Sequence, residues 1–171
     1  AAGSVIRWIA AKSVPVVRNQ KITGVLSSDN SLKFLKWDGE ISAWSDITPG
    51  PAPAPAGSAT RKFDVSQEMN SGRIMAVYYN NVAGEVTYAV YSSTASAWVV
   101  GPIALPMTAL TGTVNWVKLK SMPGTDRIAL AVLDSNSDIS AAVWNGSAWI
   151  DNVNLTAAAA TASREAFDAA W

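Results

Sequence analysis

The chain has 171 residues, 49% apolar and 15% charged, with 13 basic and 13 acidic side chains and no net charge. That balance excludes a disordered chain, and it lacks the basic excess that neutralises phosphates, so no nucleic-acid partner is expected. There is no Cys and no His, which removes disulfides, thiolate chemistry, the commonest general base and the commonest zinc ligand. Neither a cofactor nor a metal is expected. No apolar run approaches the roughly 20 residues of a membrane-spanning helix. Basic residues are denser near the start, at Arg7, Lys12, Arg18, Lys21, Lys33 and Lys36. They are spread over alternating segments, as on solvated strand faces and turns. The abundance of Ala, Ser and Thr points to an extracellular or cell-surface setting. The start at Ala1, without Met, reads as a processed product or an excised fragment.

In chain order, a first strand opens at Trp8 and recurs at Phe63 and Trp116, and begins again at Phe167. These anchors lie 55, 53 and 51 residues apart, a period long enough for one supersecondary unit per copy. Second strands follow at Lys21–Leu26, Arg73–Tyr79 and Arg127–Leu133. The last two are continuous apolar runs, as expected of strands buried on both faces. Polar turns come next, at Ser27–Asn30, Asn80–Gly84 and Asp134–Ser137. Third strands end in Trp37, Tyr91 and Trp144, and fourth strands carry Trp44, Trp98 and Trp149. Between them, Asp38-Gly39 and Asn145-Gly146 are the dipeptides that a type I′ hairpin prefers.

The copies are joined by linkers. The first, from Thr48 to Ser58, alternates Pro with small residues, and Pro cannot donate to a ladder. Its counterparts are Gly101–Thr113 and Leu155–Arg164, the latter Ala-rich but placed as an irregular connection. The chain therefore divides into blade 1 at about 5–48, the Pro/Ala linker at 48–60, blade 2 at about 61–105, blade 3 at about 114–154 and an extra strand at 164–171, within a single repeat-built domain.

Four antiparallel strands in about 50 residues, repeated, with double-sided apolar strands, resemble the blades of a β-propeller. The Trp-rich pattern is closest to bacterial propeller lectins and similar surface repeat proteins, although no diagnostic family motif is present. The resemblance implies an all-β fold of three four-stranded antiparallel blades plus the first strand of a fourth. A β-sandwich or open β-array is the alternative. Three blades do not close a ring. The chain is then either a fragment of a longer protein or one part of an oligomeric ring.

The repeated aromatics Trp37, Trp44, Tyr91, Trp98, Trp144 and Trp149 have two readings. Their flat faces suit the C–H faces of a sugar ring, and repetition would add avidity; equally, they are what one blade needs to pack on the next. Two other constellations are weaker. Asp134 to Asp138 has alternating oxygen side chains like the start of a calcium loop, but Ile139 and Asn145 break the pattern, and a plain polar turn is the reading. Asp64 and Asp168, with Glu68 and Glu165 near them, could line a channel, but nothing else supports hydrolysis, so no enzyme is expected. The expected function is an extracellular or surface binding and adhesion module that holds a glycan through the aromatics. The alternative is a structural or protein-interaction scaffold that assembles through its blade faces, by self-association or with neighbouring repeats.

Overall fold

Strands that are apolar on both faces must be covered twice, and the architecture follows from that requirement. The computed structural model describes residues 4–14, 19–159 and 161–171; Arg18 and Ala160 lie outside them. The described residues form twelve strands in three four-stranded antiparallel sheets, each ordered as in the sequence. Blade 1 comprises β1 (Ile6–Val14), β2 (Gln20–Ser27), β3 (Leu32–Asp38) and β4 (Ala43–Asp46). Blade 2 comprises β5 (Phe63–Gln67), β6 (Ile74–Tyr78), β7 (Glu85–Ser92) and β8 (Ala97–Pro106). Blade 3 comprises β9 (Val114–Ser121), β10 (Ile128–Asp134), β11 (Ile139–Trp144) and β12 (Trp149–Thr156). The innermost strands β1, β5 and β9 lie side by side, so the sheets stand as consecutive blades.

Blade 2 is the covered one. Alternate residues of a strand point to opposite faces. From β6, Ile74, Ala76 and Tyr78 enter a core shared with Ile22, Leu26 and Phe34 of blade 1. The intervening Met75 and Val77 enter a second core with Val117, Leu130 and Val132 of blade 3. All five residues of β6 are buried.

The repeat is in step, with one difference from the expected alignment. Trp8 is paired with Leu26 and Trp116 with Leu133. In blade 2 the equivalent residue, Tyr79, donates its backbone N–H to the carbonyl of Lys62, not of Phe63. Lys62 is thus the structural counterpart of Trp8 and Trp116, at intervals of 54 residues (62 − 8 and 116 − 62). A one-residue slip reverses the face. Phe63 accordingly packs back onto blade 1, edge-on to Phe34 with ring centroids 6.3 Å apart.

Other differences are local. β8 continues to Pro106, well inside the expected linker. Gly101, at φ +76°, lets the ladder shift register and run on, and any Cβ there would strike the carbonyl of Tyr88. The loop after Trp144 is not a type I′ turn: only Gly146 has positive φ, and Asn145 Oδ1 accepts the N–H groups of Ser147 and Ala148. The extra strand expected at 164–171 is not formed: these residues join no ladder and are held by side-chain contacts instead. They nonetheless lie along blade 3. Phe167 packs against Trp116, Leu133 and Ile139, Lys118 pairs with Asp168 at 3.0 Å, and Trp171 Nε1 donates to Lys120 O at 2.9 Å.

The turn residues also hold each blade to the chain that precedes it. Val5 N donates to Ser28 Oγ, Ala56 N to Asn81 Oδ1, and Gly112 N to Asp134 Oδ2.

Gly24 sits where Phe63 crosses β2: a Cβ there would lie 2.5 Å from Phe63 Cε2 and 3.2 Å from Phe34 Cε1. Gly24→Val is expected to lower stability by about 1–3 kcal/mol through overpacking, read from the urea midpoint. Thr23→Val, on the opposite face, is the control. An unchanged midpoint for Gly24→Val would contradict the packing of blade 2 on blade 1.

Candidate functional site

The six repeated aromatics form three pairs, each directly across a ladder between a third and a fourth strand. Trp37 pairs with Trp44, Tyr91 with Trp98 and Trp144 with Trp149, at centroid separations of 5.5, 5.4 and 5.6 Å. The register that aligns them is the same in each blade, and each pair projects from the face that meets the preceding blade. Their surroundings then differ.

The pair of blade 3 is sealed. Trp144 is 1% exposed, and its Nε1 donates to Glu68 Oε1 at 2.6 Å. Glu68 itself is buried and clamped by Arg73, whose Nε reaches Oε2 at 2.5 Å and whose Nη2 reaches Gly146 O at 2.6 Å. Trp149 lies against Tyr88, centroids 5.7 Å apart, with its Nε1 buried and without a partner. Blade 3 is thus locked onto blade 2 by a carboxylate, a guanidinium and an indole, with apolar rings filling the rest.

The pair of blade 1 is open. Trp37 is partly buried and Trp44 is 53% exposed, on the face that also carries Ile9. Among the described residues no blade covers that face.

The pair of blade 2 lies between these extremes. Tyr91 is buried, Trp98 partly so, and the two rings meet edge to face at 72°. Trp98 Nε1 donates to Ile47 O at 2.7 Å. Beside them a cleft of about 400 Å³ remains, lined also by Lys36, Ser45, Asp46, Thr48 and Ser96. Two features of blade 1 keep it open. β4 has only four residues, against ten in β8 and eight in β12, so the outer edge of blade 1 is short. In addition, Lys36 takes the place that Val90 fills in blade 2, next to the third-strand aromatic in each. Its Nζ lies 5.8 Å from the Tyr91 ring centroid, within cation–π range. A cleft with two aromatic rings, an ammonium, a carboxylate and hydroxyls has the composition of a small-molecule site.

Asp46 is fixed in its charged form. Burial pushes its carboxyl up, but hydrogen bonds from Lys33 and Thr48 outweigh this and hold it at about 2. The Lys33 contact is 2.8 Å.

The other carboxylates are engaged elsewhere. Asp64 is fully buried. Burial raises its carboxyl above the usual range, against the pull of Arg61 and of the Leu119 and Val65 amides. Its Oδ2 accepts Leu119 N–H at 2.8 Å, which ties blade 2 to the inner strand of blade 3. Asp168 pairs with Lys118, and Glu165 with Arg61. Asp134 accepts four backbone N–H groups, from Thr111, Gly112, Asn136 and Asp138. It closes a polar turn, and no group of three or more acidic side chains is gathered among the described residues.

The aromatic pairs were visible in the sequence; the residues that make one of them a cleft were not. Lys36 follows Leu32 and Phe34 on the inward face of β3, so a lysine ending an apolar alternation was the available signal. Glu68 carries no repeat signal, since Val14 and Met122 stand 54 residues before and after it, whereas Arg73 recurs as Arg127 but gives no sign of its partner.

No protein-family profile matches the chain, and no curated protein matches it. Solved structures do. The BP39L lectin of Burkholderia pseudomallei is similar over 86% of this chain and 41% of its own, at 18% identity and a TM-score of 0.65. A lectin of Aleuria aurantia in complex with Fucα1-6GlcNAc is similar over 95% of this chain and 47% of its own, at 16% identity and a TM-score of 0.58. SapL1 lectin in complex with α-methyl fucoside is similar over 87% and 47%, at 16% identity and a TM-score of 0.54. The Aleuria aurantia lectin is described as a six-bladed β-propeller. The chain thus spans less than half the length of these neighbours. At such identities the likeness carries the fold: this is a repeat protein built as propeller lectins are, from consecutive four-stranded blades.

Asp46 gives the site a pH signature. Its folded pKa, about 2, lies below the unfolded value of about 3.9, so its contribution is present above about pH 4 and is lost as pH falls through 2. Asp46→Asn is expected to flatten the stability-versus-pH curve between about pH 4 and 2. An unaltered acid limb would contradict the Lys33–Asp46–Thr48 arrangement.

Proposed function

We propose that this chain is a carbohydrate-binding module that holds a neutral sugar ring in the cleft between blades 1 and 2. The observation that carries the reading is the cleft itself. The Tyr91–Trp98 corner borders an open cleft beside Lys36, Asp46 and Thr48, whereas at the equivalent corner between blades 2 and 3 Tyr88 packs against Trp149. The C–H face of a pyranose would rest on the Trp98 ring, while Lys36 and the hydroxyls bond its hydroxyl groups. The lectin neighbours support the same reading, two of them with fucosides in their complexes. Binding, not catalysis, is favoured because Asp64, Glu68 and Asp134 are consumed by N–H groups and cations that hold blades together. A glycan-binding module of this composition suits an extracellular or cell-surface setting and an adhesive role.

A second reading has its own observation. Trp37, Trp44 and Ile9 form an aromatic and aliphatic face on blade 1, with Trp44 and Ile9 53% and 56% exposed. Exposed apolar faces of this kind mark interaction surfaces. Another blade, from a second copy or from neighbouring repeats, would cover it as blade 2 covers the opposite face. Self-association predicts a solution mass that is a multiple of 18.0 kDa. Light scattering that gives a strict monomer would contradict it.

The cleft is tested by titration with methyl α-fucoside and by a glycan array. Lys36→Met preserves the volume of a buried stem and removes the charge. It is expected to weaken sugar binding about tenfold or more, the size of a lost hydrogen bond to a charged group, with little change in melting temperature. No neutral sugar on the array, or a Lys36→Met variant that binds as well as the parent, would contradict the assignment.

A further inference from the structure

A second cavity lies away from the cleft, at one end of the three innermost strands. Its volume is about 260 Å³, and its polar lining is Lys12, Ser13, Ser66, Gln67, Lys120 and Ser121. These are three adjacent pairs, one each from β1, β5 and β9. In the observed register they are the same two repeat positions, since 12, 66 and 120 are spaced by 54, as are 13, 67 and 121. Three consecutive blades therefore present a Lys-Ser, a Ser-Gln and a Lys-Ser pair around one opening.

The lining of the recess holds two lysines and no carboxylate. Lys118, two residues before Lys120 on β9, is neutralised by Asp168 at 3.0 Å and Glu165 at 3.8 Å. Lys12 and Lys120 have no ion-pair partner among the described residues. Two lysines lining a recess with apolar walls, here Leu119, Met69 and Pro123, give it a positive potential. The neutral groups add a hydroxyl-binding character. Ser66 Oγ and Ser121 Oγ are 2.6 Å apart, and Ser121 Oγ donates to Gln67 O at 2.5 Å. The Gln67 side chain is 6% exposed, and its Oε1 is buried with no donor.

We propose that this recess binds a carboxylate-bearing sugar, of the hexuronate class, with the carboxylate between Lys12 and Lys120 and ring hydroxyls on Ser66, Ser121 and Gln67. The volume lies just below the range usual for ligand sites, so it takes one ring and not an oligosaccharide. The site differs in place and chemistry from the neutral cleft between blades 1 and 2, and does not depend on it.

Calorimetric titration of the intact chain at low ionic strength tests this with glucuronate, glucose and inorganic phosphate as probes. Glucuronate is expected to bind at least about tenfold more tightly than glucose, and Lys12→Gln and Lys120→Gln each to weaken it about tenfold or more, as the loss of a charge-assisted bond implies. Lys36→Met is expected to leave glucuronate binding unchanged, and Lys120→Gln to leave methyl α-fucoside binding unchanged. Equal affinity for glucose would overturn the anionic site, and equal affinity for phosphate would overturn the sugar. Glucuronate binding that is insensitive to both lysine variants, or lost in Lys36→Met, would overturn the location.

Discussion

The structure depends on one constraint: a sheet with two apolar faces needs a neighbour on each. Blade 2 meets it fully, with the residues of β6 divided between two cores. The contacts that enforce it are polar as well as apolar. Asp64 takes an N–H from β9, Glu68 takes the indole N–H of Trp144, and Arg73 closes onto Gly146. Each leaves blade 2 and lands on blade 3. Buried charges of this kind specify one docking geometry where hydrophobic faces alone would permit sliding.

The proposed function rests on the same constraint being met unequally. The three aromatic pairs occupy one repeat position and one register, yet one is sealed, one lines a cleft and one is uncovered. What differs is the surface opposite. Where Tyr88 fills the gap, the pair is core. Where blade 1 offers a short β4 and an inward Lys36, the pair borders a cavity. A repeat protein can thus acquire a binding site by omission, through removal of part of one interface, while every neighbouring interface keeps its packing.

Most of the architecture was legible in the sequence because it rests on period and composition. The three four-stranded blades, their strand order and the places of the turns follow from alternation and turn residues, whereas the type I′ geometry expected at Asp38-Gly39 and Asn145-Gly146 and the strand expected at 164–171 are not formed. Four things were hidden. The anchor of blade 2 appeared to be Phe63, since an aromatic stands near each first-strand start; Lys62 holds that place, and only the ladder reveals a one-residue slip. The extent of β8 depended on Gly101 at positive φ allowing the strand to pass Pro102, which in sequence reads as a stop. The cleft depended on the length of β4, which has no local signature, and on the direction of the Lys36 side chain, whose one signal was its place at the end of the Leu32–Phe34 alternation. The inner cavity was hidden for the same reason as the anchor, because Lys12, Ser66 and Lys120 align only in the observed register.

The claim that one aromatic pair is a binding site while its repeat equivalent is core is tested most directly by a crystal structure of the chain soaked with methyl α-fucoside. The account predicts sugar density between Tyr91, Trp98 and Lys36, with Trp144 and Trp149 unmoved. Density at the Trp144–Trp149 pair, or a well-ordered and empty cleft under saturating sugar, would contradict it.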